Sequence, residues 1–114
     1  MSRFMNGIDI GPLSDIPMQG ARVVKTAFGC VAIFRTADNQ VFALDDRCPH
    51  KGGPLSEGIV HGTSVTCPLH NWVFDLTTGT AQGADDGRTN TYPVQVQDGR
   101  IVLDASRQLR RSAA

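Results

Sequence analysis

Short apolar runs separated by breaks rich in Gly, Asn and Asp set the texture of this chain, and no window carries a helical period. Residues 21–27, 29–35 and 41–44 are β-branched or aromatic stretches of strand length, punctuated by Ala27-Phe28-Gly29 and Ala37-Asp38-Asn39-Gln40. They predict a meander of antiparallel strands. Further on, residues 91–97 and 100–104 flank Asp98-Gly99, a two-residue loop that suits a type I′ hairpin turn. Leu13-Ser14-Asp15-Ile16-Pro17 reads as a turn or a single helical turn. The pattern predicts an all-β class.

Between the outer strands, from about residue 45 to residue 80, Gly and Pro become frequent. This stretch reads as a small subdomain inserted into a β-barrel-like base, with residues 60–66 and 73–76 as its short strands. Residues 1–105 are read as one domain. Residues 106–114 have no apolar pattern and carry three arginines; they read as a flexible, solvated tail.

Composition narrows the partners. The 114 residues hold eleven basic and eleven acidic side chains, which argues against nucleic acid or an anionic membrane. No stretch reaches the apolar length of a transmembrane helix, and residues 1–7 lack an apolar signal core, so no secretory signal is expected. Three cysteines form an odd set. They imply no disulfide framework, and a reducing cytoplasm is the expected location.

The candidate chemistry lies in the inserted stretch. Cys48-Pro49-His50 is followed after sixteen residues by Cys67-Pro68-Leu69-His70. Two Cys–His pairs of this kind are the ligand set of a Rieske-type [2Fe-2S] cluster, in which two thiolates hold one iron and two imidazoles the other. Each pair is short enough for one loop to offer a sulfur to one iron and a nitrogen to the other. A Cys2His2 zinc site is the rival, although zinc fingers usually group Cys with Cys and His with His. A Cys48–Cys67 disulfide would leave the matched histidines unexplained. Pro49 and Pro68 bias the preceding cysteines toward extended backbone, and Gly52-Gly53 allows close backbone approach to a bound group. Pro54 and Leu55 are expected to cover the cluster. Outside this set, Cys30 reads as a buried core thiol, His61 as an exposed residue at a turn, and Asp85-Asp86-Gly87 as a turn. No nucleophile–base pair and no nucleotide-binding glycine motif is present, so no catalytic residue is assigned.

Residues 46–58, Asp46-Arg47-Cys48-Pro49-His50 through Leu55-Ser56-Glu57-Gly58, are similar to the first cluster loop of soluble Rieske ferredoxins. The second loop continues from His70-Asn71-Trp72 into Asp75-Leu76-Thr77-Thr78-Gly79 and Thr91-Tyr92-Pro93-Val94. That combination most resembles the small subunit of NAD(P)H-dependent assimilatory nitrite reductase, over residues 8–104. The resemblance implies a fold of three antiparallel sheets, with Cys48 and Cys67 on one iron and His50 and His70 on the other. It also implies a large partner subunit carrying flavin, iron–sulfur and sirohaem groups, which reduces nitrite to ammonium. The ferredoxin component of an aromatic-ring dioxygenase system is the alternative, and a non-redox zinc-binding module a second one. High-potential Rieske proteins resemble one another in an extra disulfide between the loops and in Ser and Tyr hydroxyl donors after the second histidine. Here Gly53 and Leu69 stand where those cysteines would fall, and Trp72 and Phe74 at the donor positions. A midpoint of about −150 to 0 mV is therefore expected. Lys51, Gly52, Leu69 and Asn71 are expected to rim the partner's docking site.

Overall fold

The computed structural model describes residues 7–26, 29–46, 54–67, 72–81 and 89–104. Among these residues there are strands, bridges, turns and two single 3-10 turns, with no α-helix. The described residues form ten strands in three antiparallel sheets. The first joins β1 (Ile8–Pro12), β10 (Arg100–Leu103) and β9 (Val94–Gln97) in that order. The second runs β2 (Gly20–Thr26), β3 (Gly29–Arg35), β4 (Val41–Asp45) and β8 (Thr91–Tyr92). The third runs β5 (Ile59–His61), β6 (Ser64–Thr66) and β7 (Val73–Asp75).

The second sheet is covered on both faces, and its sequence explains why. In β3, Val31-Ala32-Ile33-Phe34 is a continuous apolar run with all four residues fully buried, as expected of a strand without a solvent face. Ala32 and Phe34 lie opposite Leu44 and Phe42. They pack with Leu55, Val60, Val65, Phe74 and Leu76 of the third-sheet region. Val31 and Ile33 face the other way, toward Ala43, Tyr92, Ile101 and Leu103. Two cores thus sandwich one sheet. Ile16, beside the 3-10 turn Leu13–Asp15, closes the second of them.

The expected meander is present as β2, β3 and β4. Its second turn brings Asn39 to a φ of 68°, with Asn39 N–H donating to Thr36 O at 3.1 Å. The Asp98-Gly99 turn has φ values of 53° and 77°, both positive as type I′ requires. Three points differ from the sequence reading. Residues 60–66 are not one strand but the β5–β6 hairpin, turning at Gly62 with a φ of 58°. Residues 91–97 break at Pro93, so β8 pairs with β4 while β9 pairs with β10; proline has no N–H to offer a ladder. Strand β1, interrupted by a bulge between Asp9 and Gly11, was not anticipated.

Strand β4 pairs directly with β8, Ala43 opposite Tyr92 and Leu44 opposite Thr91. Everything from residue 46 to residue 90 therefore leaves and returns between two neighbouring strands. Asp45 secures that exit: its N–H donates to Asn90 O at 3.0 Å. Its carboxylate accepts the Tyr92 hydroxyl and, at 2.9 Å, the Asn90 amide.

Candidate metal centre

The stems of both Cys–His segments are described, although most of the segments themselves are not. Residues 47–53 and 68–71 lie outside the described residues, and with them Cys48, His50, His70 and the expected docking residues Lys51, Gly52, Leu69 and Asn71. The turn expected at Asp85-Asp86-Gly87 and residues 105–114 lie outside them as well.

The first segment begins at Asp46, whose N–H donates to Cys30 O at 3.0 Å. Its far end is the 3-10 turn Leu55–Glu57. The two ends are joined: the Asp46 carboxylate accepts Ser56 N–H at 2.7 Å and the Ser56 hydroxyl at 3.0 Å. Leu55 is fully buried and anchors the turn in the core, whereas Pro54 is exposed. Of the two residues expected to cover the cluster, Leu55 therefore packs into the protein.

The second segment begins at Cys67, immediately after β6. Cys67 is fully buried and belongs to the same core as Leu55, Val65 and Phe74. Its N–H donates to Trp72 O at 2.6 Å, closing the four-residue stretch between them. Trp72 is half-buried and tilts against Phe74, with ring centroids 6.2 Å apart and planes at 42°. Phe74 is fully buried, and a phenyl ring has no hydrogen-bond donor. A thiol buried at a strand end, belonging to one of two Cys–His pairs in the sequence, suits an iron–sulfur group. Cys67 is the candidate ligand that the described residues contain.

Two residues outside the ligand set can be placed. His61 is exposed, as expected, with Nε2 2.7 Å from Thr66 Oγ1. Cys30 is exposed rather than buried. It shares the face of Ala32 and Phe34, but it stands at the open end of β3 opposite Lys25, itself exposed. Strand alternation put it on an interior face; position along the strand put it beyond the cover. Asp46 and Ser56 are the residues that sequence reasoning passed over. Neither is a metal ligand type at ligand spacing, and their partnership across ten positions leaves no local pattern.

Comparison with known families decides the assignment. Residues 8–104 match the profile of the Rieske-like [2Fe-2S] domain. The chain belongs to that family. It is a Rieske electron-transfer protein, and its cofactor is a Rieske-type [2Fe-2S] cluster. Among curated relatives, it is 37% identical over 107 residues to the 3-phenylpropionate/cinnamic acid dioxygenase ferredoxin subunit of Photorhabdus laumondii, covering 91% of this chain and 99% of that one. It is 32% identical over 99 residues to the ferredoxin component of the naphthalene 1,2-dioxygenase/salicylate 5-hydroxylase systems of a Ralstonia species, covering 86% and 94%. A third likeness, 40% over 83 residues, is to 4beta-methylsterol monooxygenase of Methylococcus capsulatus; it takes in 64% of this Rieske chain but spans only 22% of that protein.

Solved structures agree on the fold. A chain in the oxygenase–ferredoxin complex of carbazole 1,9a-dioxygenase superposes with a TM-score of 0.81 at 25% identity, covering 94% of this chain and all of that one. A candidate small subunit of an NADPH nitrite reductase gives 0.78 at 26% identity, with 89% and 100% covered. A candidate NADH-dependent nitrite reductase small subunit from Mycobacterium tuberculosis gives 0.77 at 26%, with 85% and 92% covered. The three-sheet architecture expected from the resemblance is present.

Proposed function

We propose that Cys48, His50, Cys67 and His70 hold the cluster, the two cysteines on one iron and the two histidines on the other, and that the chain is the ferredoxin of a multicomponent oxygenase system. The observation that carries the second part is the match at 32–37% identity along 94–99% of the length of dioxygenase ferredoxins. This reverses the order of the readings drawn from the sequence, where residues after the second ligand pair favoured nitrite reductase. When bound, such a cluster takes up and releases one electron at a time. With four ligands supplied by the protein, no coordination position is left for a substrate. The chain's own task is to hold the group and present it to a partner.

A second reading keeps the chain as the small subunit of an NAD(P)H-dependent nitrite reductase, supported by the likeness to two candidate small subunits of that enzyme. Transfer assays separate the two. The cluster-loaded chain is mixed either with a ferredoxin reductase and a terminal ring-hydroxylating oxygenase, or with a sirohaem-bearing nitrite reductase subunit. Substrate-dependent turnover restored only in the oxygenase mixture is the expected result. Restoration only with the nitrite-reducing subunit would overturn the first reading in favour of the second.

A further inference from the structure

Apart from its ligands, the Rieske centre needs its two loops held in register, and the described stems contain a device suited to that. The Asp46 carboxylate takes both polar hydrogens of Ser56, one on each oxygen. Hydrogen bonds to an ionised acceptor are stronger than neutral ones. Asp46 is itself fixed to β3 through Cys30 O. The turn carrying Ser56 packs against β2 and β3 and is anchored by buried Leu55.

The same turn also touches the second stem. Gly58, which ends it, lies so close to β6 that a Cβ there would stand 2.2 Å from Thr66 O and 3.0 Å from Val65 Cγ2. Thr66 directly precedes Cys67. Gly58 has an ordinary extended backbone, φ −78° and ψ 179°, so this position excludes a side chain through contact rather than conformation. One short turn thus meets the start of the first segment through Asp46 and the start of the second through Thr66.

We propose that Asp46, Ser56 and Gly58 form a clasp that sets the spacing of the two cluster loops, making Asp46 and Ser56 positioning residues for the cluster. This rests on the Rieske reading. The clasp joins Asp46 and Ser56, on either side of the segment that carries the proposed ligands Cys48 and His50, and sets that joint against Thr66, next to Cys67. Loosening it leaves the sheets in place but lets the ligand set spread, which eases loss of iron and broadens the cluster's spectroscopic signature.

The test uses the cluster-loaded full chain and its Ser56→Ala, Ser56→Thr and Asp38→Ala variants. Asp38→Ala is the control: it removes the bonds from Thr36 and Gln40 in the β3–β4 turn, at the opposite end of β4 from Asp46. Iron release to a chelator and the reduced-state EPR line widths are recorded for each. Ser56→Ala is expected to release iron about ten- to a hundredfold faster, as loss of a bond to a charged acceptor implies, and to broaden the EPR signal. Ser56→Thr, which keeps the hydroxyl, is expected to restore both, and Asp38→Ala to change neither. Unchanged release and line widths in Ser56→Ala would overturn the proposal, as would an equal effect in Asp38→Ala. A parent chain that binds no cluster would overturn the Rieske reading and the clasp together, whereas a loaded parent with an indifferent Ser56→Ala overturns the clasp alone.

Discussion

At Gly79, conformation and packing both exclude a side chain. Its φ is 76°, and a Cβ would stand 2.3 Å from Thr89 O. Left-handed backbone and overlap each cost an L-residue energy, so Gly79→Ala is expected to destabilise by about 2–4 kcal/mol, measured by chemical denaturation. Two exposed carboxyls carry a pH dependence. The Arg100 guanidinium and the Gly11 N–H hold the Asp9 carboxyl below its ordinary value of 3.8. The Thr36 hydroxyl and the Gln40 amide do the same for Asp38. A carboxyl depressed in the folded state adds stability above its unfolded value, and that stability is lost as pH falls through the folded value. Asp9→Asn and Asp38→Asn are therefore expected to be less stable than the parent at neutral pH, with the difference shrinking as pH falls below the ordinary value of 3.8. A difference that persisted undiminished in acid would contradict this account. Residue by residue, candidate ligands stand out in the sequence because metal chemistry demands particular atoms at particular spacings. Burial at Cys30 was not, because it depends on where along β3 the covering layer stops.

Among the elements, β3 shows what patterning can and cannot reveal. Its continuous apolar run announces a strand buried on both faces, but not which layers bury it. The Asp98-Gly99 turn was legible because few dipeptides tolerate two successive positive φ values. The β5–β6 hairpin was legible only in part: His61 reads at a turn, as Gly62 confirms, but Val60, Val65 and the residues between them also read as one β-prone run, so their pairing was not. The break at Pro93 followed from a single missing N–H, yet the transfer of the chain from one sheet to the next is a tertiary fact. Phe74 ties these elements together, fully buried on β7, paired with Val65 and packed with residues of the second sheet. Phe74→Ala is expected to cost about 3–5 kcal/mol, read from the denaturation midpoint. Against a typical total stability of about 5–15 kcal/mol, that would leave the third sheet marginally attached. A loss below about 1 kcal/mol would show that the site collapses around the missing ring.

For the whole molecule, two cores sandwich one sheet, and the Asp45 bonds to Asn90 and Tyr92 brace the point where residues 46–90 leave it. The family was legible from the paired Cys–His spacing; the physiological partner was not. Relatives with the same fold serve different enzymes, because partner choice lies in surface residues that the core does not constrain. The absence of Ser and Tyr donors at Trp72 and Phe74 sets an expectation for the cluster's potential, because donors to the sulfurs stabilise the reduced form. A redox titration is expected to give a midpoint of about −150 to 0 mV, and a value above about +150 mV would contradict that argument. The central claim, a Rieske cluster held by Cys48, His50, Cys67 and His70, is tested most directly by EPR of the dithionite-reduced, anaerobically purified protein, with iron and acid-labile sulfide quantified on the same sample. The account predicts a red-brown protein with about two irons and two sulfides per chain and a Rieske-type signal. A colourless protein containing zinc and no sulfide would contradict it.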